Sequence, residues 1–201
     1  MNKETFIFIG SSGSGKGTQV GLLKEELLKK NPTMPIFYLQ TGQYFRDFIK
    51  QDSFAAAIAK GAIDNGERAP DFLAMYIWSK VFVENLKNEE HLIIDGSPRS
   101  INEAKNLDIA LKFFKREHPA VIYIKVSRKW SFDHLMARAE KEKRKDDTAE
   151  SINKRLNWFD TDVLPAIDKF RRDRDYDFVE INGEQSIEAV HRDIMANVFG
   201  D

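Results

Sequence analysis

A chain of 201 residues, 42% hydrophobic and 31% charged, holds enough apolar material for one core with small inserts and is too apolar for global disorder. Lys plus Arg number 31 against 32 for Asp plus Glu, a net charge of −1, which excludes nucleic-acid binding through bulk charge but leaves room for a local cationic cleft. The absence of cysteine excludes disulfides, thiolate metal sites and a cysteine nucleophile, and it suits a reducing compartment. No apolar run approaches the ~20 residues that cross a bilayer. The start, Met1-Asn2-Lys3-Glu4-Thr5, leads only into Phe6-Ile7-Phe8-Ile9, too short for a secretory signal. The expectation is a soluble cytoplasmic protein with no membrane or nucleic-acid partner.

In chain order, short apolar runs bounded by polar or Gly residues predict buried strands at Thr5–Ile9, Pro35–Leu39, His91–Asp95, Ala120–Val126 and Asp177–Ile181. Helical patterns separate them. Lys16–Lys30 places Val20, Leu23, Leu27 and Leu28 on one side. Pro70–Asn88 opens with Pro in its first turn and spaces Leu73, Ile77 and Val81 four apart. Ser100–Arg116 begins with the capping box Ser100-Ile101-Asn102-Glu103. Thr148–Arg174 follows Asp147, a good N-cap, and aligns Ile152, Leu156, Val163, Ile167 and Phe170; Ser186–Phe199 closes the chain. Strands alternating with helices predict a parallel α/β sheet covered on both faces, with ligands bound beyond the carboxyl ends of its strands. Thr41–Ala69 and roughly Met136–Thr148 fit the alternation poorly and read as inserts over that edge.

Ile9 is followed by Gly10-Ser11-Ser12-Gly13-Ser14-Gly15-Lys16-Gly17-Thr18-Gln19 and then by the first helix. Glycines let the backbone turn so that successive N–H groups cradle an anion, and the helix start adds free N–H groups and a positive dipole end. Gly13, Ser14, Gly15, Lys16, Gly17 and Thr18 are therefore candidate residues for binding a nucleoside triphosphate, with Lys16 set against the β- and γ-phosphates. The dinucleotide pattern G-x-G-x-x-G fails, because its last position falls on Thr18 or Val20. Lys16 is followed by Gly17, and the hydroxyl comes only at Thr18. No direct protein ligand to Mg²⁺ is expected, the ion being held by phosphate oxygens and water with Asp95 and Thr18 nearby.

Gly15-Lys16-Gly17-Thr18 resembles the nucleoside monophosphate kinase family, and within it the adenylate kinases most closely. Gln40-Thr41-Gly42-Gln43-Tyr44-Phe45-Arg46 is similar to the family's monophosphate-binding segment, and Gly66-Glu67-Arg68-Ala69-Pro70-Asp71 to the turn that passes the nucleobase. Asp95-Gly96-Ser97-Pro98-Arg99 looks like its Asp-Gly-aromatic-Pro-Arg. Arg138, Arg144-Lys145-Asp146-Asp147 and Lys154-Arg155-Leu156 look like its lid and following helix. The resemblance covers nearly the whole chain. It implies a P-loop kinase fold in one domain over 1–201, with a five-stranded parallel sheet, a monophosphate-binding insert over 41–70 and a short lid over 136–148 that lacks the zinc of the long-lid type. It also implies a monomer that moves a phosphoryl group between ATP and AMP with Mg²⁺. On the acceptor side it points to Thr41, Gly42, Arg46, Arg68, Ala69, Gly96, Arg99 and Glu103, with Arg144 and Arg155 reaching in from the lid. His134 and Arg138 join the loop on the donor side. Lys16, Asp95, Arg99, Arg138, Arg144 and Arg155 are the candidate catalytic residues.

The chemistry supports those residue types independently of the resemblance. Several phosphate charges must share one cleft, and the planar guanidinium fork binds phosphate oxygens in pairs while staying charged. No general base is needed, since the acceptor phosphate oxygen is already nucleophilic. Positioning and electrostatic stabilisation do the work, and a closing lid excludes water. Asp95 ends a buried strand at the ligand edge, where its carboxylate can orient water around Mg²⁺.

Four positions depart from the family pattern. Glu103 stands where the family places Gln, whose amide both donates and accepts; an ionised Glu only accepts, from adenine N6–H or from guanine N1–H and N2–H. Glu103 is also the third residue of the capping box and can bond back to the Ser100 N–H. Thr41 favours adenine, because the pyrimidine-type relatives carry Ala there, and GMP stays open as an acceptor. His134 stands where the family stacks an Arg on the donor base. Ser97 replaces an aromatic, and Arg68 an apolar residue at the base-passing turn. His91, His118 and His191 lack partners for a metal site, and Lys141–Lys145 reads as a solvated lid face. The rivals are the same chemistry on another monophosphate and a regulatory nucleotide-binding module without turnover.

Overall fold

The computed structural model describes residues 3–65, 67–142 and 148–200. The predicted apolar runs pair as β1 (Thr5–Ile9), β2 (Ile36–Gln40), β3 (His91–Asp95), β4 (Ala120–Lys125) and β5 (Asp177–Asn182), all parallel, in the order β2-β3-β1-β4-β5. The central β1 and β3 are buried along their whole length, which is why their sequences run nearly continuously apolar instead of alternating. His91 is one exception. It is fully buried, and its Nδ1 accepts from the Glu4 N–H at 3.2 Å. Burial holds its pKa below the ordinary value, so it packs as a neutral ring.

One face of the sheet is covered by α1 (Lys16–Lys30) and α9 (Ile187–Phe199), whose Val20, Leu23, Leu27, Val190 and Ile194 meet Phe6, Phe8, Ile93, Ile122 and Ile124. The other is covered by α4 (Asp71–Asn85), α5 (Ile101–Phe113) and α8 (Leu164–Arg172), through Trp78, Phe82, Leu107, Leu111, Ile167 and Phe170. Each such buried side chain contributes roughly 1.5–3 kcal/mol.

The segments that broke the alternation are helical. α2 (Thr41–Phe48) starts directly from the end of β2, and α3 (Phe54–Asp64) follows it. Together with α4 they enclose a second small core of Phe45, Ala59, Leu73, Ala74 and Ile77. α6 (Arg128–Glu142) runs into the segment expected to be lid, and packs Leu135 on Ile152 and Leu156 of α7 (Ala149–Trp158). The rest of that segment, Arg144 and Asp147 included, lies outside the described residues. The cap of α7 is Thr148, whose hydroxyl accepts from the Ser151 N–H at 3.2 Å. The long helix expected over 148–174 is two helices joined by a π-helical turn, Phe159–Val163. Phe159 and Val163 are both buried in that turn, so the apolar stripe runs through it without a break and does not report it. Among the described residues no helix is long and apolar enough to cross a membrane.

Candidate active site

All five strands point their carboxyl ends at one edge, and a cleft of about 600 Å³ opens there. The phosphate loop forms its floor. Gly13 and Gly15 hold left-handed φ of +84° and +87°, the second serving as the N-cap of α1. Gly13 has a further constraint: a Cβ there would stand 2.8 Å from the Ser131 carbonyl oxygen of α6. The same helix grips the loop through Ser131, whose hydroxyl bonds that of Ser11 at 2.6 Å in a buried contact. Gly13→Ala is therefore expected to cost about 1–3 kcal/mol of stability, from left-handed strain and the carbonyl clash. Urea denaturation measures it, and an unchanged midpoint would mean that the loop relaxes freely.

Lys16 folds back over its own loop, donating to the carbonyls of Gly10 at 2.7 Å and Ser11 at 2.8 Å. Burial pulls its ammonium down to about 8; the Asp95 carboxylate opposes that fall, and Arg99 and Arg138 add to it. Asp95 ends β3, only 8% exposed, and Oδ2 accepts from the Tyr38 hydroxyl at 3.0 Å.

Four arginines reach the cleft wall: Arg46 from α2, Arg99 from the loop after β3, Arg138 from α6 and Arg155 from α7. Arg99 is fixed by its Nε–H donating to the Gly96 carbonyl at 2.7 Å, and its guanidinium lies 5.8 Å from the centre of the Trp158 ring. Burial lowers its pKa, with Glu103 and Asp95 pulling the other way. Arg46 lies against Gln43, donating to Oε1 at 2.8 Å. His134 lines the cleft, stacked on Trp130 at 4.3 Å with 22° between planes.

Three predicted acceptor residues do not line the cleft. Thr41 is 1% exposed and donates to the Ser97 hydroxyl at 3.0 Å. Ser97 in turn donates to Glu103 Oε2 at 3.3 Å. Arg68 is bound to Asp71 and to Asp162, at 3.0 Å, and lies 3.6 Å from Glu103 Oε1. The capping box forms only in half: the Glu103 N–H donates to the Ser100 hydroxyl at 3.1 Å, while the side chain lies buried among Ser97, Arg68 and Arg99. Burial pushes the Glu103 carboxyl above the usual carboxylate range, and Arg99 and Arg68 pull it part of the way back. Its Oε1 has no hydrogen-bond partner.

Gly13, Gly15, Gly17, Thr18, Gly42, Ala69 and Gly96 lie on the wall as expected from their motifs. Ser14 is buried beneath the loop, its hydroxyl 3.4 Å from the Lys16 ammonium. Sequence reasoning missed Trp158, which shares the wall three residues after Arg155, one turn along the same helix face. It also missed Gln40, Phe45, Ile63 and Leu135, which supply apolar and amide surface around the charges.

Residues 8–175 match the family model described as adenylate kinase. The chain belongs to the adenylate kinase family. Curated relatives agree over the full length. The adenylate kinase of Leptospira biflexa serovar Patoc is 33% identical over 192 residues, covering 96% of this chain and 98% of its own. That of Bacteroides fragilis is 31% identical over 192 residues, 96% of each chain. That of Mycoplasma mobile is 29% identical over 221 residues, covering 97% and 98%. The cleft is lined by the phosphate loop and by arginines from four separate segments of the chain.

Among the side-chain oxygens at this cleft, the Asp95 carboxylate and the Thr18 hydroxyl are hard donors of the kind Mg²⁺ takes. Among the described residues no group of three or more His, Asp or Glu side chains stands ready to cage an ion. The donor set fits an ion carried in on nucleotide phosphates and water.

Proposed function

We propose that the protein transfers the γ-phosphoryl group of MgATP reversibly to AMP, giving two ADP. The observation that carries this reading is the sharing of one cleft by Lys16, Arg46, Arg99, Arg138 and Arg155. A loop that holds one polyphosphate needs the lysine; a module that only senses ATP has no use for arginines on four sides of it. Lys16 and the loop amides hold the donor phosphates. Arg46 and Arg99 hold the acceptor's α-phosphate, placing its oxygen in line with the γ-phosphorus. Arg138 and Arg155, with Arg144 from the lid, stabilise the charge on the moving group. When bound, Mg²⁺ would supply positive charge to the donor phosphates, and Asp95 and Thr18 are the residues that would hold its water. His134, backed by the stacked Trp130 ring, offers a flat surface for the donor base.

Glu103 lies behind the cleft wall, so an acceptor base reaches it only when the carboxyl gives up its contacts with Ser97 and Arg68. A neutral carboxyl donates through O–H and accepts through C=O, matching adenine N1 and N6; an ionised one only accepts, matching guanine N1–H and N2–H. Because burial raises the Glu103 pKa, lowering pH toward it favours AMP, and raising pH favours GMP. Initial rates with AMP, GMP, CMP, UMP and dTMP test the reading, with AMP expected first. Glu103→Gln is expected to increase the AMP-to-GMP preference severalfold at pH 8 and to remove its pH dependence. A clear win by GMP would overturn the choice of acceptor, and ATP binding without turnover on any acceptor would favour a regulatory module.

A further inference from the structure

Asp95 does not stand alone at the end of its strand. β2 pairs with β3 so that Gln40 stands opposite Asp95 and Tyr38 opposite Ile93. From that position, two residues back from the cleft, the Tyr38 phenol reaches the sheet edge and donates to Asp95 Oδ2 at 3.0 Å. Lys24 of α1 places its ammonium 5.0 Å over the centre of the same ring, a contact that holds the ring in place. Gln40 and Asp95 line the cleft and Tyr38 does not, so the phenol acts on a ligand only through the carboxylate.

We infer that Tyr38 is a positioning residue that commits one oxygen of Asp95 to the sheet and so fixes which oxygen serves the metal-bound water at the phosphates. The inference rests on the proposed role of Asp95. Without the tether a carboxylate turns about its Cβ–Cγ bond and can swing toward Lys16, whose charge it already feels. That swing would cost the phosphates on both counts, weakening the metal's support and pairing off the lysine. Burial and the Asp95 charge push the phenol far above its ordinary pKa, so it remains a donor across the neutral range.

Tyr38→Phe removes only the hydroxyl and keeps the ring under Lys24. Diadenosine pentaphosphate serves as the probe, and Trp158 fluorescence follows its binding in the presence and absence of Mg²⁺. The wild-type protein supplies the Mg²⁺-dependent gain in affinity. Tyr38→Phe is expected to cut that gain about 3–10-fold while leaving the Mg²⁺-free affinity unchanged, the range expected for a hydrogen-bond partner of a group that serves a metal. In turnover the Mg²⁺ concentration for half-maximal rate should rise by the same factor with KM for AMP unmoved. In an Asp95→Asn background the second substitution should add nothing. If Asp95→Asn reduces the gain and Tyr38→Phe does not, or if the two effects simply add, the inference is wrong. If Asp95→Asn itself leaves the gain intact, the proposed role of Asp95 is overturned and the inference goes with it. A fall in melting temperature with an unchanged Mg²⁺ gain would mark Tyr38 as structural only.

Discussion

Lys16→Met is expected to lower kcat about 10³-fold, equivalent to about 4 kcal/mol of transition-state stabilisation. The ammonium sits in the loop with its bonds to the Gly10 and Ser11 carbonyls at 2.7 and 2.8 Å, and a bound polyphosphate would draw it off them. Methionine matches its length and offers no charge. Folding should change little, because two effects oppose each other: charge-assisted bonds are lost, and a cation no longer has to be held out of water. Steady-state rates beside thermal melts separate the two. Full activity in the variant would remove Lys16 from the chemistry.

The same residue sets a pH dependence. Burial lowers the Lys16 pKa to about 8, below its unfolded value of 10.5. A group that binds its proton less tightly when folded lets the unfolded chain hold more protons between those two values, so its stability penalty is present below pH 8 and is relieved as pH rises toward 10.5. Polyphosphate reverses the preference by favouring the cation. Binding above pH 8 must then take up a proton, and KM for ATP is expected to climb as pH rises through that value. Lys16→Met should flatten the rise.

Arg99→Lys is the second large effect, expected to reduce kcat/KM for AMP about 10²–10³-fold. The guanidinium is held on two sides, by Nε–H to the Gly96 carbonyl at 2.7 Å and by the Trp158 ring at 5.8 Å, leaving its terminal nitrogens for the acceptor phosphate. Lysine keeps the charge and loses the fork, the stacking and the backbone bond together. Separate titrations of ATP and AMP, followed by Trp158 fluorescence, should show the loss on the AMP side. A loss confined to ATP would move Arg99 from the acceptor to the donor.

Where apolar spacing and local capping coincide, the fold was legible from residues alone. β1 and α1 begin and end where their apolar runs and the phosphate loop predict. α6 was not legible, because the face it buries is Ser131 and Leu135, one of them polar, and a stripe that thin carries no period. Nor was the start of α2, where Gln40 ends a strand and caps a helix with no loop between them. The charged site residues were legible because phosphate chemistry restricts the residue types and the motifs restrict the spacing. Tyr38 and Trp158 were hidden for another reason. One depends on the register of β2 against β3, and the other on the phase of α7, and neither quantity is written locally in the chain.

The π-helical turn at Phe159–Val163 works as a gear between two faces. Upstream of it Ser151, Arg155 and Trp158 line the cleft; downstream Ala166, Ile167 and Phe170 pack on the sheet. One extra residue in a helix rotates everything beyond it by about 100°. A chain shortened by one residue inside this turn would keep nearly the same composition and would turn either its apolar face off the sheet or Arg155 and Trp158 off the cleft.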